Sequence, residues 1–349
     1  LFEKLGISAA GLKTTEKSGA VSTGASELEK IRDRHPIVPK MLAYRELNKI
    51  KNTYADTLPN LVGGDGRVHT TYHQFGAATG RLSSSDPNLQ NIPIMSPEGR
   101  EIRKAFIADD GFELVSFDYS QIELRIAAHM ADDQKMIETF RQGEDIHKKT
   151  AAAVNGVPLE QVTPDMRRAA KTLNFGVLYG MGSSAFAENT GMPRADAKKF
   201  IDNYFKNFSG LKVYMEDTKA KASKLGYVET VFGRRRHIPE INTMNWRYRR
   251  EAERMAINMP IQGTAADIVK LSMVGVDGWI KKNKLSGGVR LLLQVHDELV
   301  LEIKKEIVKQ VAPKIKEIME RVVQLKVPLV VEVKAGRSWG TQEIVTRDK

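Results

Sequence analysis

The chain has 349 residues, 41% of them apolar and 28% charged, which is the composition of a globular protein with a buried core. It lacks cysteine, which excludes disulfides and cysteine-ligated zinc, and no apolar run is long enough to span a bilayer. The formal net charge of +11 predicts a polyanionic partner, either nucleic acid or a membrane surface, although a solvated Lys/Glu surface would also give it.

The first sixty residues are predicted to form a loop and two helices. The stretch 11–26 is rich in Thr, Ser, Gly and Lys, a composition typical of loops. Ser26 is a candidate N-cap for a helix that continues to Asp33. A second helix is predicted over 40–57, after Pro39, because apolar residues recur at helical spacing there.

The central part of the chain contains one predicted strand and a long helical region. The β-prone segment Phe112–Asp118 predicts a buried strand, and residues 121–262 are mainly helical in pattern. Thr163 is a strong N-cap candidate because a proline and an acid follow it, and Gly180 would end that helix. Further boundaries are predicted at Pro193, which opens a helix, and at Gly226, which ends one.

Two β-rich runs near the C-terminus, 290–295 and 298–303, are joined at His296-Asp297. This spacing predicts a tight hairpin, although the glycine that usually marks such turns is missing. A helix over 306–323 and a strand over 329–333 would complete an α+β layer.

Asp118 and Asp297 are candidate metal ligands. If the strands that carry them are neighbours, the two carboxylates converge at one sheet edge and repel each other unless a cation neutralises them. Oxygen ligands suit Mg²⁺ or Mn²⁺, and two such ions ~3.5–4 Å apart would activate a hydroxyl and stabilise a leaving oxygen. Either Asp alone is more often a turn former, but the flanking apolar strands and a third carboxylate, Glu298, favour metal binding.

A second candidate site is the stripe Arg167, Lys171, Phe175 and Tyr179, whose members are four residues apart on one helix face. The two cations could hold a triphosphate and the two aromatic rings a base, with His147 as a further phosphate donor. Packing of Phe175 and Tyr179 into a core is the alternative. The cations at the start of the stripe favour a binding face.

Three long motifs are residues 118–125 (DYSQIELR), residues 167–180 (RRAAKTLNFGVLYG) and residues 294–299 (QVHDEL). They resemble, in this order, motifs A, B and C of the family A DNA polymerases, the bacterial DNA polymerase I group, and of its Taq-like thermophilic members in particular. Three shorter matches are residues 79–84 (TGRLSS), 86–91 (DPNLQN) and 262–267 (QGTAAD).

The resemblance implies an α+β right-hand polymerase fold with an antiparallel-sheet palm, helical fingers and a partial helical thumb. The thumb remnant would be residues 1–61, the palm 62–121 together with 263–349, and the fingers 122–262. The first part of the family's thumb would precede Leu1.

The implied activity is template-directed DNA synthesis, in which dNTPs extend a primer 3′-hydroxyl in the 5′-to-3′ direction, for replication and repair gap filling. Two Mg²⁺ ions, replaceable by Mn²⁺, would serve as cofactors. The implied partners are primer–template DNA and dNTPs, with no membrane, and the protein is expected to be a monomer of the cytoplasm (nucleoid). No exonuclease-like acidic motif is present, so this chain is expected not to proofread.

The resemblance also implies a role for individual residues. The metals would be held by Asp118, Asp297 and the backbone carbonyl of Tyr119, with Glu298 accessory, and Lys171 would protonate the departing pyrophosphate. Glu123, paired with Tyr179, would exclude the ribose 2′-hydroxyl, and Phe175 would disfavour dideoxynucleotides. The incoming nucleotide would contact Arg167, Lys171, Phe175, Tyr179, His147, Gln121 and Glu123.

Contacts to the DNA minor groove are implied for Arg81, Asn88, Gln90, Arg254, Gln262 and His296, since every base pair offers an acceptor there. Turn capping is the alternative for Asn88 and Gln90, and a surface ion pair is the alternative for Arg81 and Arg254.

Two rival functions are a phage-type single-subunit RNA polymerase and a nucleic-acid-binding module that has lost catalysis. Glu123 and Phe175 argue against the first, and the intact acids and cations argue against the second.

Overall fold

The computed structural model describes residues 1–15, 18–93 and 96–346. It combines helices with an antiparallel sheet and divides into two compact units. The first unit comprises residues 1–71 and 85–106, and the second comprises residues 72–84 and 107–349. Residues 16 and 17 of the predicted loop 11–26 lie outside the described residues.

The first unit contains the helices α1 (Ala25–Glu29), α2 (Ile37–Ile50) and α3 (Pro97–Lys104), and a π-helical turn, Lys51–Ala55, continues α2. Leu28 and Ile31 are fully buried in its small core. Gly24 rather than Ser26 precedes α1, so the predicted N-cap is wrong by two residues. Helix α2 begins before Pro39 because a proline fits the first turn, whose amide groups need no partner within the helix.

The remaining helices belong to the second unit. They are α4 (Ile122–Ala131), α5 (Gln134–Arg141), α6 (Ile146–Asn155), α7 (Pro164–Leu178), α8 (Ser183–Thr190), α9 (Arg194–Asn207), α10 (Ser209–Leu225), α11 (Trp246–Lys282) and α12 (Val308–Arg321). Within the described ranges, no helix has both the length and the apolar character needed to cross a membrane.

The strands are β1 (Thr71–His73), β2 (Ser83–Ser85), β3 (Phe112–Tyr119), β4 (Tyr227–Glu229), β5 (Arg235–His237), β6 (Val289–Val295), β7 (Glu298–Lys304), β8 (Val331–Gly336) and β9 (Glu343–Thr346). Five of them form an antiparallel sheet in the order β6-β7-β3-β8-β9, and the other four form two-stranded sheets.

The central sheet is held by one large apolar core. Val115 and Phe117 of β3 are fully buried, as are Ile268 of α11 and Ile315 of α12 in the same cluster. Burying a side chain of this size contributes roughly 1.5–3 kcal/mol. This packing fixes β3 and β7 as neighbours, with Asp118 opposite Glu298 in the register.

Several predicted boundaries are confirmed. Thr163 caps α7, since its hydroxyl accepts a hydrogen bond of 3.2 Å from the Met166 amide, and Gly226 follows α10 with φ of +74°. Strand β3 extends one residue beyond Asp118, and strand β8 lies at 331–336 instead of 329–333. The β4–β5 hairpin inside the predicted helical region and the strand β9 were not predicted.

Candidate active site

The tip of the β6–β7 hairpin lies beside the end of β3. His296 adopts a φ of +54°, so it supplies the left-handed conformation that a glycine usually supplies in such turns. The backbone amide of Tyr119 donates to the Asp297 carbonyl at 3.2 Å. Because directly opposed residues of neighbouring strands share a face, Asp118 and Glu298 lie together next to Asp297.

The two aspartates have strongly raised pKa values. Burial, reinforced by the charges of Glu298 and Asp297, raises the pKa of Asp118 to about 7, although its side chain still reaches solvent. Burial also raises the pKa of Asp297 to about 6, an effect that the Arg81 guanidinium opposes. The folded chain thus holds carboxylates where their charge is unfavourable, and a divalent cation would relieve this.

The predicted metal ligands, Asp118, Asp297 and the Tyr119 carbonyl, would all bind through oxygen atoms, and the Asp118 side chain is exposed. In the described part of the chain, no three His, Asp or Glu side chains are grouped as ligands for a metal ion. Two carboxylates and a backbone carbonyl suit Mg²⁺, which keeps several waters and shares substrate phosphates, better than they suit a closed zinc cage.

Glu123 is the centre of a buried polar network. Its Oε1 atom accepts a hydrogen bond from Arg81 Nη2 at 2.6 Å, and its Oε2 atom accepts one from the Tyr179 hydroxyl at 2.8 Å. Arg81 Nη2 also lies 3.9 Å from Asp297 Oδ1. The network therefore links the end of α7 to one of the paired acids, and the Glu123–Tyr179 contact implied by the resemblance is present.

Gln121 precedes α4 with φ of +54°, in the left-handed region that a glutamine seldom adopts. Its Oε1 atom is buried and has no hydrogen-bond partner. An unpaired buried acceptor is unfavourable, so this atom can receive a donor from a ligand.

Helix α7 presents the predicted stripe, although Tyr179 caps the helix and does not lie inside it. Arg167 Nε donates to Asp145 Oδ2 at 2.7 Å, and Lys171 is exposed. Phe175 is half-buried, with its ring centroid 5.7 Å from that of His147. The cations of the stripe are accessible to a ligand, whereas its aromatic rings are partly covered.

His147 is buried and neutral at physiological pH. Burial lowers its pKa to about 4, although the Asp145 carboxylate opposes the shift. The Asn174 side-chain amide donates to His147 Nδ1 at 2.9 Å, which leaves the ring proton on Nε2. Neither Asp145 nor Asn174 was identified as a site residue from the sequence. Only Asp145 carried a local signal, because an aspartate just before a helix is a typical N-cap.

The residues expected to contact DNA divide between the two units. Asn88 and Gln90 belong to the first unit, where Asn88 Oδ1 accepts the Gln90 amide at 3.0 Å, the geometry of turn capping. In the second unit, Arg254 packs against Gly180, and His296 is exposed at the hairpin tip. Gln262 is half-buried on α11, one turn beyond Asn258, which the sequence analysis did not single out.

The turn that precedes Arg81 packs against a hydrogen-bonded pair of side chains. Arg234 makes hydrogen bonds of 2.6 and 2.8 Å to Asp267, and the Thr230 hydroxyl donates to the same carboxylate at 2.9 Å. Gly80 has φ of +79°, and a Cβ atom there would lie 2.6 Å from Arg234 Nε. The turn that carries Arg81 therefore packs against the Arg234–Asp267 pair. The quoted segment 262–267 includes Asp267, but the sequence did not predict its pairing with Arg234.

Comparison with known proteins adds independent information. The model of DNA polymerase family A matches residues 1–341. The thermostable DNA polymerase I of Thermus aquaticus is 52% identical over 340 residues, which are 97% of this chain and 40% of that protein. DNA polymerase I of Pseudomonas aeruginosa is 49% identical over 341 residues, which are 97% of this chain and 37% of that protein. The chain thus spans about two fifths of the length of these relatives.

A solved structure has the same fold. The POL domain of Pol1 from M. smegmatis, in complex with DNA primer-template and dNTP, superposes with a TM-score of 0.88 and 43% sequence identity. The match covers 94% of this chain and 58% of that one. Both the sequence and the fold therefore place this chain in DNA polymerase family A.

Proposed function

We propose that this chain copies a primed DNA template by transferring nucleotides from dNTPs to a primer 3′-hydroxyl. The observation that carries the proposal is the convergence of Asp118 and Asp297 at one sheet edge, with the pKa of each raised. Membership of DNA polymerase family A and the DNA- and dNTP-bound structural relative support it.

Asp118, Asp297 and the Tyr119 carbonyl would hold two Mg²⁺ ions, which Mn²⁺ could replace. The ions would lower the pKa of the attacking hydroxyl and stabilise the leaving oxygen. Glu298 is accessory, since it lies opposite Asp118 and also accepts a 3.3 Å hydrogen bond from the Trp339 indole.

Arg167 and Lys171 would bind the triphosphate, and Lys171 would protonate the pyrophosphate as it departs. Neutral His147 would donate through Nε2–H, held in this tautomer by Asn174. Arg167 would exchange its present partner, Asp145, for a phosphate oxygen.

The sugar and base of the nucleotide would be selected by Glu123, Tyr179, Phe175 and Gln121. Glu123 is suited to exclude a 2′-hydroxyl because Arg81 and Tyr179 hold its carboxylate in place, so an added hydroxyl would clash with it. Phe175 offers no hydroxyl to replace a missing 3′-hydroxyl, so dideoxynucleotides are disfavoured.

We infer minor-groove contacts for Arg81, Arg254, Gln262 and His296 of the second unit, and the sequence predicts the same role for Asn88 and Gln90 of the first. We infer the same division into thumb (1–61), palm (62–121 and 263–349) and fingers (122–262) as the sequence predicted. The chain would act as a monomer of the cytoplasm (nucleoid), without a proofreading activity of its own.

The test is extension of a primed template with Mg²⁺. Asp118→Ala and Asp297→Ala should each lower the extension rate at least a hundredfold. Asp277→Ala removes an exposed carboxylate that pairs with Lys281 on α11, and it should leave the rate unchanged. Full activity in either of the first two variants would refute the proposed metal site.

A further inference from the structure

The first two turns of α11 expose side chains that are usually buried or paired. Trp246, the first residue of the helix, is 61% exposed, and Met244 just before it is 99% exposed. Neither belongs to an apolar cluster among the described residues. Exposed large apolar side chains on a basic surface are typical of binding sites.

Arginines accompany Trp246 on one face of α11. Residues 247, 250 and 254 are spaced by three and four positions, so they point to the same side of the helix, and Trp246 borders them. The guanidinium of Arg247 lies 5.6 Å from the centre of the Trp246 ring. We call Trp246, Arg247 and Arg250 the basic aromatic strip.

The cations of the strip are free to bind a ligand. In the described part of the chain, neither Arg247 nor Arg250 forms an ion pair, although Glu251 follows Arg247 by one turn. Arg249, by contrast, is paired with Glu253 at 3.6 Å. Arg247 and Arg250 therefore keep their positive charges available beside Trp246.

The strip continues the helix face that carries Arg254. Eight residues of helix separate Trp246 from Arg254, a distance of about 12 Å. Arg254 in turn packs against Gly180, which directly follows Tyr179. The strip thus extends outward along α11 from the residues proposed to bind nucleotide and DNA.

We propose that the basic aromatic strip binds the unpaired part of the template strand. The Trp246 ring would stack on a base, and Arg247 and Arg250 would contact phosphates. A base inside a duplex has both faces covered by its neighbours, so an exposed ring favours single-stranded DNA over a duplex. This inference rests on the proposed function, because the template is the strand left unpaired beyond the primer.

The experiment is binding of the full chain to a labelled primer–template with a 5′ template overhang and to a blunt duplex of the same primer, without nucleotide. Trp246→Ala should weaken binding to the overhang DNA about tenfold, and the double variant Arg247→Gln/Arg250→Gln should also lower its salt dependence. Binding to the blunt duplex should change less than about twofold in both.

Matched controls lie in the same helix turn. Tyr248→Ala removes a ring that is 60% exposed, and Arg249→Gln removes a paired arginine; neither should alter the preference for the overhang. Equal weakening for both DNAs would identify a duplex-backbone surface and overturn the proposal, as would unchanged binding. Because the binding assay requires no catalysis, Asp118→Ala should bind both DNAs like the wild type. An error in the proposed metal site would therefore appear only in the extension assay, and an error in the proposed strip only in the binding assay.

Discussion

The guanidinium of Arg81 and the carboxylate of Glu123 are joined by a hydrogen bond of 2.6 Å, although 42 residues separate them in the chain. Only 7% of the Glu123 side chain is exposed, and a buried carboxylate is stable only when it is paired and hydrogen-bonded. The pairing therefore holds both side chains in place, and it orients Glu123 Oε2 to accept the hydrogen bond from the Tyr179 hydroxyl.

Glu123→Ala should increase incorporation of ribonucleotides. The change removes the carboxylate that would crowd a 2′-hydroxyl, and we expect the ratio of dNTP to rNTP efficiency to fall by about 10² or more. Tyr179→Phe removes only the hydrogen bond of 2.8 Å and should have a smaller effect. Single-nucleotide kcat/KM measurements with each sugar provide the check, and an unchanged ratio in Glu123→Ala would disprove the assignment.

Phe175→Tyr should increase the use of dideoxynucleotides. The added hydroxyl would stand in for the missing 3′-hydroxyl, and the half-buried ring that carries it lies 5.7 Å, between centroids, from the ring of His147. We expect discrimination to fall at least tenfold, measured as the ratio of kcat/KM for dNTP and ddNTP. Phe205→Tyr on α9 adds the same hydroxyl elsewhere in the second unit and serves as the control. Retained discrimination in Phe175→Tyr would remove this residue from the nucleotide site.

The paired acids should make metal-free stability depend on pH. The pKa of Asp118 is about 7 in the folded chain, above its ordinary value of 3.8, so the folded state binds its proton more tightly. Stability from this group is fully present below pH 3.8 and is lost as pH rises through 7. Asp118→Asn should therefore raise the unfolding midpoint relative to the wild type, and by more at pH 8 than at pH 5.

Mg²⁺ provides the control for this stability measurement. Saturating Mg²⁺ should stabilise the wild type at pH 8 and reduce its difference from Asp118→Asn, because the ion neutralises the same carboxylate. A difference between the two proteins that is constant from pH 5 to 8, with or without Mg²⁺, would contradict the raised pKa.

Gly80→Ala should lower activity through Arg81. A methyl group at this position meets Arg234 Nε at 2.6 Å and must also adopt a φ of +79°. The strain should lower stability by about 1–2 kcal/mol, and displacement of the turn should lower the extension rate more than tenfold. Gly156→Ala has a similar φ of +67° with nothing within 4 Å, so it isolates the backbone strain. Equal activity in the two variants would show that the contact with Arg234 is unimportant.

The sequence predicted those parts of the molecule that depend on local signals. Thr163 was identified as a cap, and the β6–β7 hairpin was predicted despite the missing glycine, because apolar runs flank a two-residue gap. The expected adjacency of their strands, together with the resemblance, then predicted that Asp118 and Asp297 share one site. The resemblance, rather than periodicity, supplied the roles of the individual residues.

Other features could not be predicted because they arise only when distant segments pack together. The hydrogen bonds from Arg234 to Asp267 join a hairpin to a helix, and nothing local distinguishes Arg234 from the two arginines that follow it. The hydrogen bond between Asn174 and His147 likewise joins two helices. Strand β9 is a short edge strand with little apolar pattern, so its pairing with β8 left no periodic signal.

The pairing of β3 with β7 also constrains when an active site can exist. About 180 residues separate the two aspartates, and β7 must be laid against β3 before their carboxylates can meet. During synthesis on the ribosome, β3 therefore cannot pair with β7 until the helical region between the two strands has been made. A nascent chain that ends before Asp297 would carry the cations of α7 but only one of the paired acids, so the proposed metal site could not form in it.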